Sequence, residues 1–355
     1  MIKTIAIVSL SRGTIGEASV RHEISLGIER LASYGITVRF MPHALKGIQY
    51  VKEHPEDRAA DLLQAFEDPE IDMILCAIGG DDTYRLLPYL FDHDELFRAV
   101  SDKVFLGFSD STLNHLMLHK VGLRTFYGQS FLSDVCELER EMLPYTRHYF
   151  EELLRTGTIS EIVPSEQWYD SRKTFGPDQI GVSNLSHPNP GFELLQGRSS
   201  FSGEILGGCI DSLYDMFNGD CYEDMPVLCS KYCLFPSPDE WKGKILLLES
   251  SEEKMSPEKY REALGYLKSA GVFDGISGIL VGKPIDDTYH AEYKKALKDV
   301  IGDPSVPVLC NISIGHALPR CIIPFGVMAS VDAKKQQIRF EKPTGLLRNA
   351  LPSGQ

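Results

Sequence analysis

Serine is a nucleophile at neutral pH only when a base can take its proton and a fixed turn aims its hydroxyl. Ser109 stands where both conditions could be met. It lies in Gly107-Phe108-Ser109-Asp110-Ser111-Thr112, directly after the apolar run Val104-Phe105-Leu106. A buried strand that breaks into a helix at a serine forms a nucleophile elbow. Such a turn pushes the hydroxyl outward and sets the next backbone N–H groups where an oxyanion would develop. Ser111 replaces the second glycine of the usual G-x-S-x-G pattern, and an ordinary serine N-cap explains the same residues.

A base and an acid to orient it are available further along. Glu249 ends the run Ile245-Leu246-Leu247-Leu248, so it emerges where a buried strand reaches the surface. His316 sits in Ile314-Gly315-His316-Ala317-Leu318-Pro319, beyond the strand around Val308, with the backbone constrained by Gly315 and Pro319. Singly, Glu249 reads as a carboxylate capping the Ser250-Ser251-Glu252 turn, and His316 as a loop histidine bonded to a carbonyl. With Ser109 they follow the order Ser, Glu, His used by α/β-hydrolases, and the joint pattern reads as a triad.

Other candidates carry different chemistry. Gly79-Gly80-Asp81-Asp82-Thr83 looks like the phosphate-binding GGDGT turn of NAD kinases and diacylglycerol kinases, so a nucleotide or lipid kinase is an alternative. Asp82 departs from that pattern and puts a carboxylate where phosphate oxygens would lie. His115 and His119 share a helix face but lack the zincin glutamate, and they read as core or surface histidines. The eight cysteines form no C-x-x-C pair; Cys221, Cys229 and Cys233 cluster loosely, without a histidine at ligand spacing. They read as small hydrophobes in a reducing compartment, and no metal or organic cofactor is implied.

These residues need elements to hold them. Ile5-Ala6-Ile7-Val8, Thr37-Val38-Arg39-Phe40, Met73-Ile74-Leu75-Cys76 and Val104-Phe105-Leu106 each precede a segment of helical period. Short runs apolar on both faces, separated by helices, imply a Rossmann-like parallel sheet covered on both sides, with its working residues beyond the strands' carboxyl ends. This gives a nucleophile domain over 1–163. Residues 164–190 lose regular period and read as a linker or substrate loop without its own structure, carrying Trp168. Residues 191–355 resume as a mixed α/β domain, with strands near 205, 244–248, 276–281 and 306–309. It has helices over 257–270 and 290–301, and a terminal hairpin from Val327 to Phe340. The fold class is α/β, with the site in the groove between two domains.

The 355 residues suffice for two cores, and 43% hydrophobic with 24% charged residues is a globular balance. A net charge of −14 argues against binding a nucleic-acid polymer. The start Met-Ile-Lys-Thr-Ile-Ala-Ile-Val is too short for an export signal and no run is long enough to span a bilayer. A cytoplasmic protein without a membrane partner is expected. A non-catalytic bilobal binding protein would share the two-domain layout.

Gly107-Phe108-Ser109-Asp110, Leu247-Leu248-Glu249 and Gly315-His316 together resemble the LD-carboxypeptidase and microcin-immunity family of serine peptidases. Gly207-Gly208 after Glu204-Ile205-Leu206 also looks like a family segment, although Cys209 stands where an asparagine is common. The resemblance runs from the first strand to about Ala329. It implies that Ser109 attacks an amide carbonyl, His316 shuttles the proton and Glu249 orients the imidazole. It further implies an oxyanion hole from the N–H groups of Gly80 and Asp110, and a homodimer. The loop Pro164-Ser165-Glu166-Gln167-Trp168 looks like the microcin-immunity branch, where an aromatic stacks on the nucleotide of a peptidyl-nucleotide. Trp168 is the candidate for that role; an aromatic anchoring the loop is the alternative. The carboxypeptidase branch would instead release a terminal D-alanine from a cell-wall peptide.

Overall fold

Strands that are apolar on both faces are stable only inside a layered structure. The computed structural model of the chain, which describes residues 1–343 and 345–347, places the first such runs side by side. They are β1 (Thr4–Val8), β3 (Met73–Cys76), β4 (Val104–Gly107) and β5 (Phe126–Tyr127), joined at the sheet edge by β2 (Thr37–Phe40), which is exposed to half-buried. All are parallel, in the order β5-β4-β3-β1-β2, and every residue of β3 and β4 is buried. The carboxyl end of β4 turns at Ser109 into the helix Ser111–Lys120.

The chain continues through β6 (Glu161–Ile162), β7 (Gln167–Tyr169), β8 (Ser186–Pro188), β9 (Glu193–Gln196) and β10 (Ser200–Cys209). It then forms β11 (Ile245–Glu249), β12 (Gly278–Gly282), β13 (Val308–Ile312), β14 (Ile323–Pro324), β15 (Met328–Asp332) and β16 (Gln337–Phe340). Among the described residues a second sheet runs β6-β16-β15-β10-β11-β12-β13-β9. Its centre, β10 to β13, is parallel and its flanks are antiparallel, so the sheet is mixed as expected. The helix Pro257–Ser269 shows how local chemistry sets an element. The Ser256 hydroxyl accepts the Lys259 N–H at 3.2 Å as N-cap, and Pro257 opens the first turn where no N–H is needed.

Three details depart from the sequence reading. Residues 164–190 are not without structure: β7 and β8 pair antiparallel, with Trp168 opposite His187. Strands of three residues are too short to show an alternating pattern, which is why the segment reads as irregular. Next, β14 leaves the second half of the chain and pairs antiparallel with β5, so the first sheet is not purely parallel. Finally β6, inside the 1–163 segment, pairs with β16 of the second sheet. The end of the 191–355 segment, at 344 and 348–355, lies outside the described residues. Buried apolar side chains of both sheets form one continuous cluster. Among the described residues no helix is long and apolar enough to cross a membrane.

Candidate active site

The elbow is strained where a nucleophile would need it. Ser109 has φ of 65°, the left-handed region that a residue with a Cβ seldom enters, at a cost on the order of 1–3 kcal/mol. The surroundings hold it there. Its N–H donates to Tyr127 Oη at 3.1 Å, and its carbonyl accepts from Thr112 N–H at 2.8 Å and Thr112 Oγ1 at 2.7 Å. His115 braces the strand end: Nε2 lies 3.1 Å from the Gly107 carbonyl and Nδ1 lies 2.7 Å from Thr125 Oγ1. Burial lowers the His115 pKa to about 4, so it is a neutral core histidine, one of the two readings its spacing allows. Gly79 packs against the serine; a Cβ there would lie 2.6 Å from Ser109 Cβ and 3.3 Å from Asp110 N.

Glu249 and His316 both arrive at this elbow from the second sheet. His316 Nε2 is 3.1 Å from Ser109 Oγ, and His316 Nδ1 is 2.8 Å from Glu249 Oε2. The same carboxylate oxygen accepts the His316 backbone N–H at 3.2 Å, while Oε1 accepts the Tyr127 hydroxyl at 2.6 Å. Glu249 is buried, which alone would raise its pKa, but the imidazole charge and these hydrogen bonds hold it below the usual carboxylate value. The fit depends on Gly315. It has φ of +81°, and a Cβ there would lie 2.3 Å from Glu249 Oε2.

Two residues on which the sequence reading placed no weight complete the arrangement. Arg320 is buried, and its Nη1 meets Asp134 Oδ1 at 2.9 Å while Nη2 donates to the His316 carbonyl at 3.1 Å. Its Nε also donates to the Gly315 carbonyl, so both residues of the histidine turn hang on one guanidinium. Glu252, at the end of the turn after β11, brings Oε2 to 3.0 Å from His316 Nε2. Burial opposes a charged His316, but the carboxylates of Glu249 and Glu252 outweigh it and raise its pKa to about 10. Neither signal is readable in sequence, because an Arg in a loop and a second Glu in an acidic turn are ordinary surface residues there.

Gly80 and Asp110 both pack against Ser11. Gly80 has φ of +152°, and a Cβ on it would meet Ser11 Oγ at 2.2 Å. The buried Asp110 carboxylate accepts the Thr83 N–H at 2.9 Å, and burial pushes its pKa up to about 7. Asp82 is paired with Arg58, at 2.6 Å and 3.3 Å, with both side chains buried. The close approach at Gly79 and the Arg58–Asp82 pair explain the glycine turn without a phosphate.

The LD-carboxypeptidase N-terminal domain model matches residues 5–128, and the corresponding C-terminal domain model matches residues 202–331. The chain belongs to the LD-carboxypeptidase family. Family membership makes it a peptidase-class enzyme, which removes the kinase and the non-catalytic binding protein from consideration. A carboxypeptidase relative from Treponema pallidum is 28% identical over 322 residues, covering 88% of this chain and 85% of that one. The microcin self-immunity protein MccF of Escherichia coli is 26% identical over 291 residues, covering 80% and 77%. Among solved structures, an MccF-like protein from Streptococcus pneumoniae in complex with AMP is 58% identical, with a TM-score of 0.95. That match covers 96% of this chain and 99% of the other.

In this LD-carboxypeptidase family member Trp168 is already occupied. Its ring stacks on His187 with centroids 4.2 Å apart, and Lys283 Nζ lies 4.5 Å from its centroid. A near-parallel ring at that distance covers one face, and an ammonium at that distance is within cation–π range. His187 also meets Asp170 at 2.9 Å, and the following Ser171 bonds Asp286 through its N–H at 2.7 Å. Among the described residues, the Cys, His and acidic side chains close enough to share one ion are Cys209, Glu249 and His316. Cys229 is buried, whereas Cys221 and Cys233 are exposed.

Proposed function

We propose that this protein is a serine amidase that cleaves the bond joining an aminoacyl or peptidyl group to a nucleotide. The observation that carries the catalytic part is the unbroken line Ser109 Oγ, His316, Glu249, Tyr127, starting at a serine in left-handed conformation. Ser109 Oγ attacks the carbonyl carbon as its proton passes to His316 Nε2. The oxyanion is received by the N–H groups of Gly80 and Asp110, since the Ser109 N–H is committed to Tyr127. His316 then returns the proton to the leaving amine, and the acyl-enzyme is released by water activated on the same nitrogen.

The nucleotide part of the reading is supported by relatives. The 58% identical streptococcal protein was solved with AMP, and MccF itself with aspartyl sulfamoyl adenosine and glutamyl sulfamoyl guanosine. Trp168 is the stacking platform in this reading, which requires His187 to swing off the face it covers so that the base can take its place. The second reading, removal of D-alanine from a muropeptide, is favoured by the family name and by a murein peptide carboxypeptidase relative from Bacillus subtilis.

The test is an LC–MS cleavage assay with Ser109→Ala as the blank. A D-alanine-terminated muramyl tetrapeptide is offered beside an aspartyl-adenosine phosphoramidate. Serine-dependent release of aspartate from the nucleotide is expected. Release of D-alanine instead would overturn the nucleotide reading and leave the triad standing.

A further inference from the structure

A neutral imidazole has one N–H and one lone pair, whereas an imidazolium has two N–H groups and no lone pair. His316 faces a carboxylate at each nitrogen, Glu249 Oε2 at 2.8 Å from Nδ1 and Glu252 Oε2 at 3.0 Å from Nε2. Both contacts are satisfied together only by the imidazolium. In that state Nε2 cannot accept the Ser109 proton, although Ser109 Oγ is 3.1 Å away. Glu252 therefore competes with the nucleophile for the nitrogen that the reaction uses.

We propose that Glu252 is a latch on the catalytic base, and that a substrate ammonium group next to the scissile carbonyl releases it. This rests on the serine amidase reading above. The side chain can move: it is 64% exposed, while His316 is fixed at 8%. The reach is right as well. Glu252 Oε2 and Ser109 Oγ share one nitrogen as neighbour, so they lie within about 6 Å of each other. An α-ammonium nitrogen sits two bonds, roughly 2.5 Å, from the carbonyl carbon that Ser109 attacks. It can pair with Glu252 as the acyl group enters, drawing the carboxylate off Nε2 and freeing the base. An N-acylated residue at that position has no charge to offer.

The other groups facing His316 do not duplicate this role. Glu249 holds Nδ1 and is itself held by Tyr127. Arg320, paired with Asp134, binds backbone carbonyls of the histidine turn, and the Phe108 ring packs on the imidazole edge. Cys209 lies beside Glu249 and His316, and Asp211 faces them from the helix Ile210–Asn218 while accepting the Ser251 N–H. Among these, Glu252 is the one on Nε2.

The test follows the rate of fluorophosphonate labelling across pH 6 to 11.5, in which the Ser109 Oγ–P bond forms, fluoride leaves and the proton goes to His316. The proteins are wild type, Glu252→Gln, Glu253→Gln and Ser109→Ala. The Glu252→Gln midpoint is expected to fall by about one pH unit, giving roughly tenfold faster labelling below it. Glu253→Gln, an exposed neighbour, should keep the wild-type midpoint. An unchanged midpoint in Glu252→Gln, or an equal shift in Glu253→Gln, overturns the latch. Labelling that persists in Ser109→Ala overturns the nucleophile itself, a separate failure.

Release is read by protection. Aspartyl sulfamoyl adenosine should protect Ser109 from the label at about fivefold lower concentration than its N-acetyl form, and Glu252→Gln should erase that preference. Equal protection by both forms in the wild type, or a preference retained in Glu252→Gln, rejects the ammonium as the releasing group.

Discussion

At the residue scale, the members of the proposed triad are unequal in what the mechanism asks of them. Ser109→Ala and His316→Ala should each remove most of kcat, while Glu249→Gln should leave roughly tenfold to a hundredfold more activity, because the acid only orients and stabilises the base. Comparable losses in all three, measured on the preferred amide, would count against that division. The acid limb of kcat/KM should lie at high pH. In the proposed mechanism His316 must be neutral to act, and two carboxylates raise its pKa to about 10, so kcat/KM should climb with pH through neutrality into the alkaline range. Tyr127→Phe removes the acceptor of the Ser109 N–H and a donor to Glu249. It should cost about 1–3 kcal/mol of stability in denaturant unfolding as well as turnover.

At the scale of elements, the turn at Gly79-Gly80 and the β7–β8 hairpin have different duties. A Cβ at Gly79 would sit 2.7 Å from Ser109 Oγ, so Gly79→Ala should displace the nucleophile and cut kcat. The associated overpacking should cost about 1–3 kcal/mol by thermal unfolding. The hairpin belongs to binding in the proposed function. Its Ser171 is tied to Asp286, which Lys254 also meets at 2.8 Å. Asp286→Ala should loosen the hairpin and raise KM for a nucleotide amide more than it lowers kcat, as should Trp168→Ala. A fall in kcat alone for either variant would place the hairpin outside substrate binding.

At the scale of the whole molecule, the proposed nucleophile hangs on one sheet and its proposed base on the other, so in this mechanism the register between them is part of the active site. Several contacts fix that register. Cys209 N–H donates to Thr112 Oγ1 at 2.9 Å, Tyr127 reaches Glu249, and β14 docks on β5. The buried Arg320–Asp134 pair joins the histidine turn to the first half of the chain. Arg320→Met would leave Asp134 buried without its partner. A loss of about 3–5 kcal/mol is expected in equilibrium unfolding, with lower kcat in whatever folds.

What the sequence by itself determined is local. Short runs of three or four residues announced the parallel strands β1 to β4 and β11, and the residue types at their ends marked Ser109 and Glu249 as candidates, because burial and turn chemistry act over a few neighbours. The pairing of Ser109 with His316 was legible only as a joint pattern, and the β7–β8 strands were too short to leave a period at all. Tertiary structure alone decided that Tyr127 bridges Ser109 and Glu249, that Arg320 carries the histidine turn, and that Glu252 lies on Nε2. It also decided that His187 and Lys283 pack on the Trp168 ring. The reason is physical. Hydrogen bonds and ion pairs join atoms 3 Å apart in space regardless of separation along the chain, and Ser109 and His316 are 207 residues apart. Periodicity records which face of an element is buried, and it carries no information about what stands opposite.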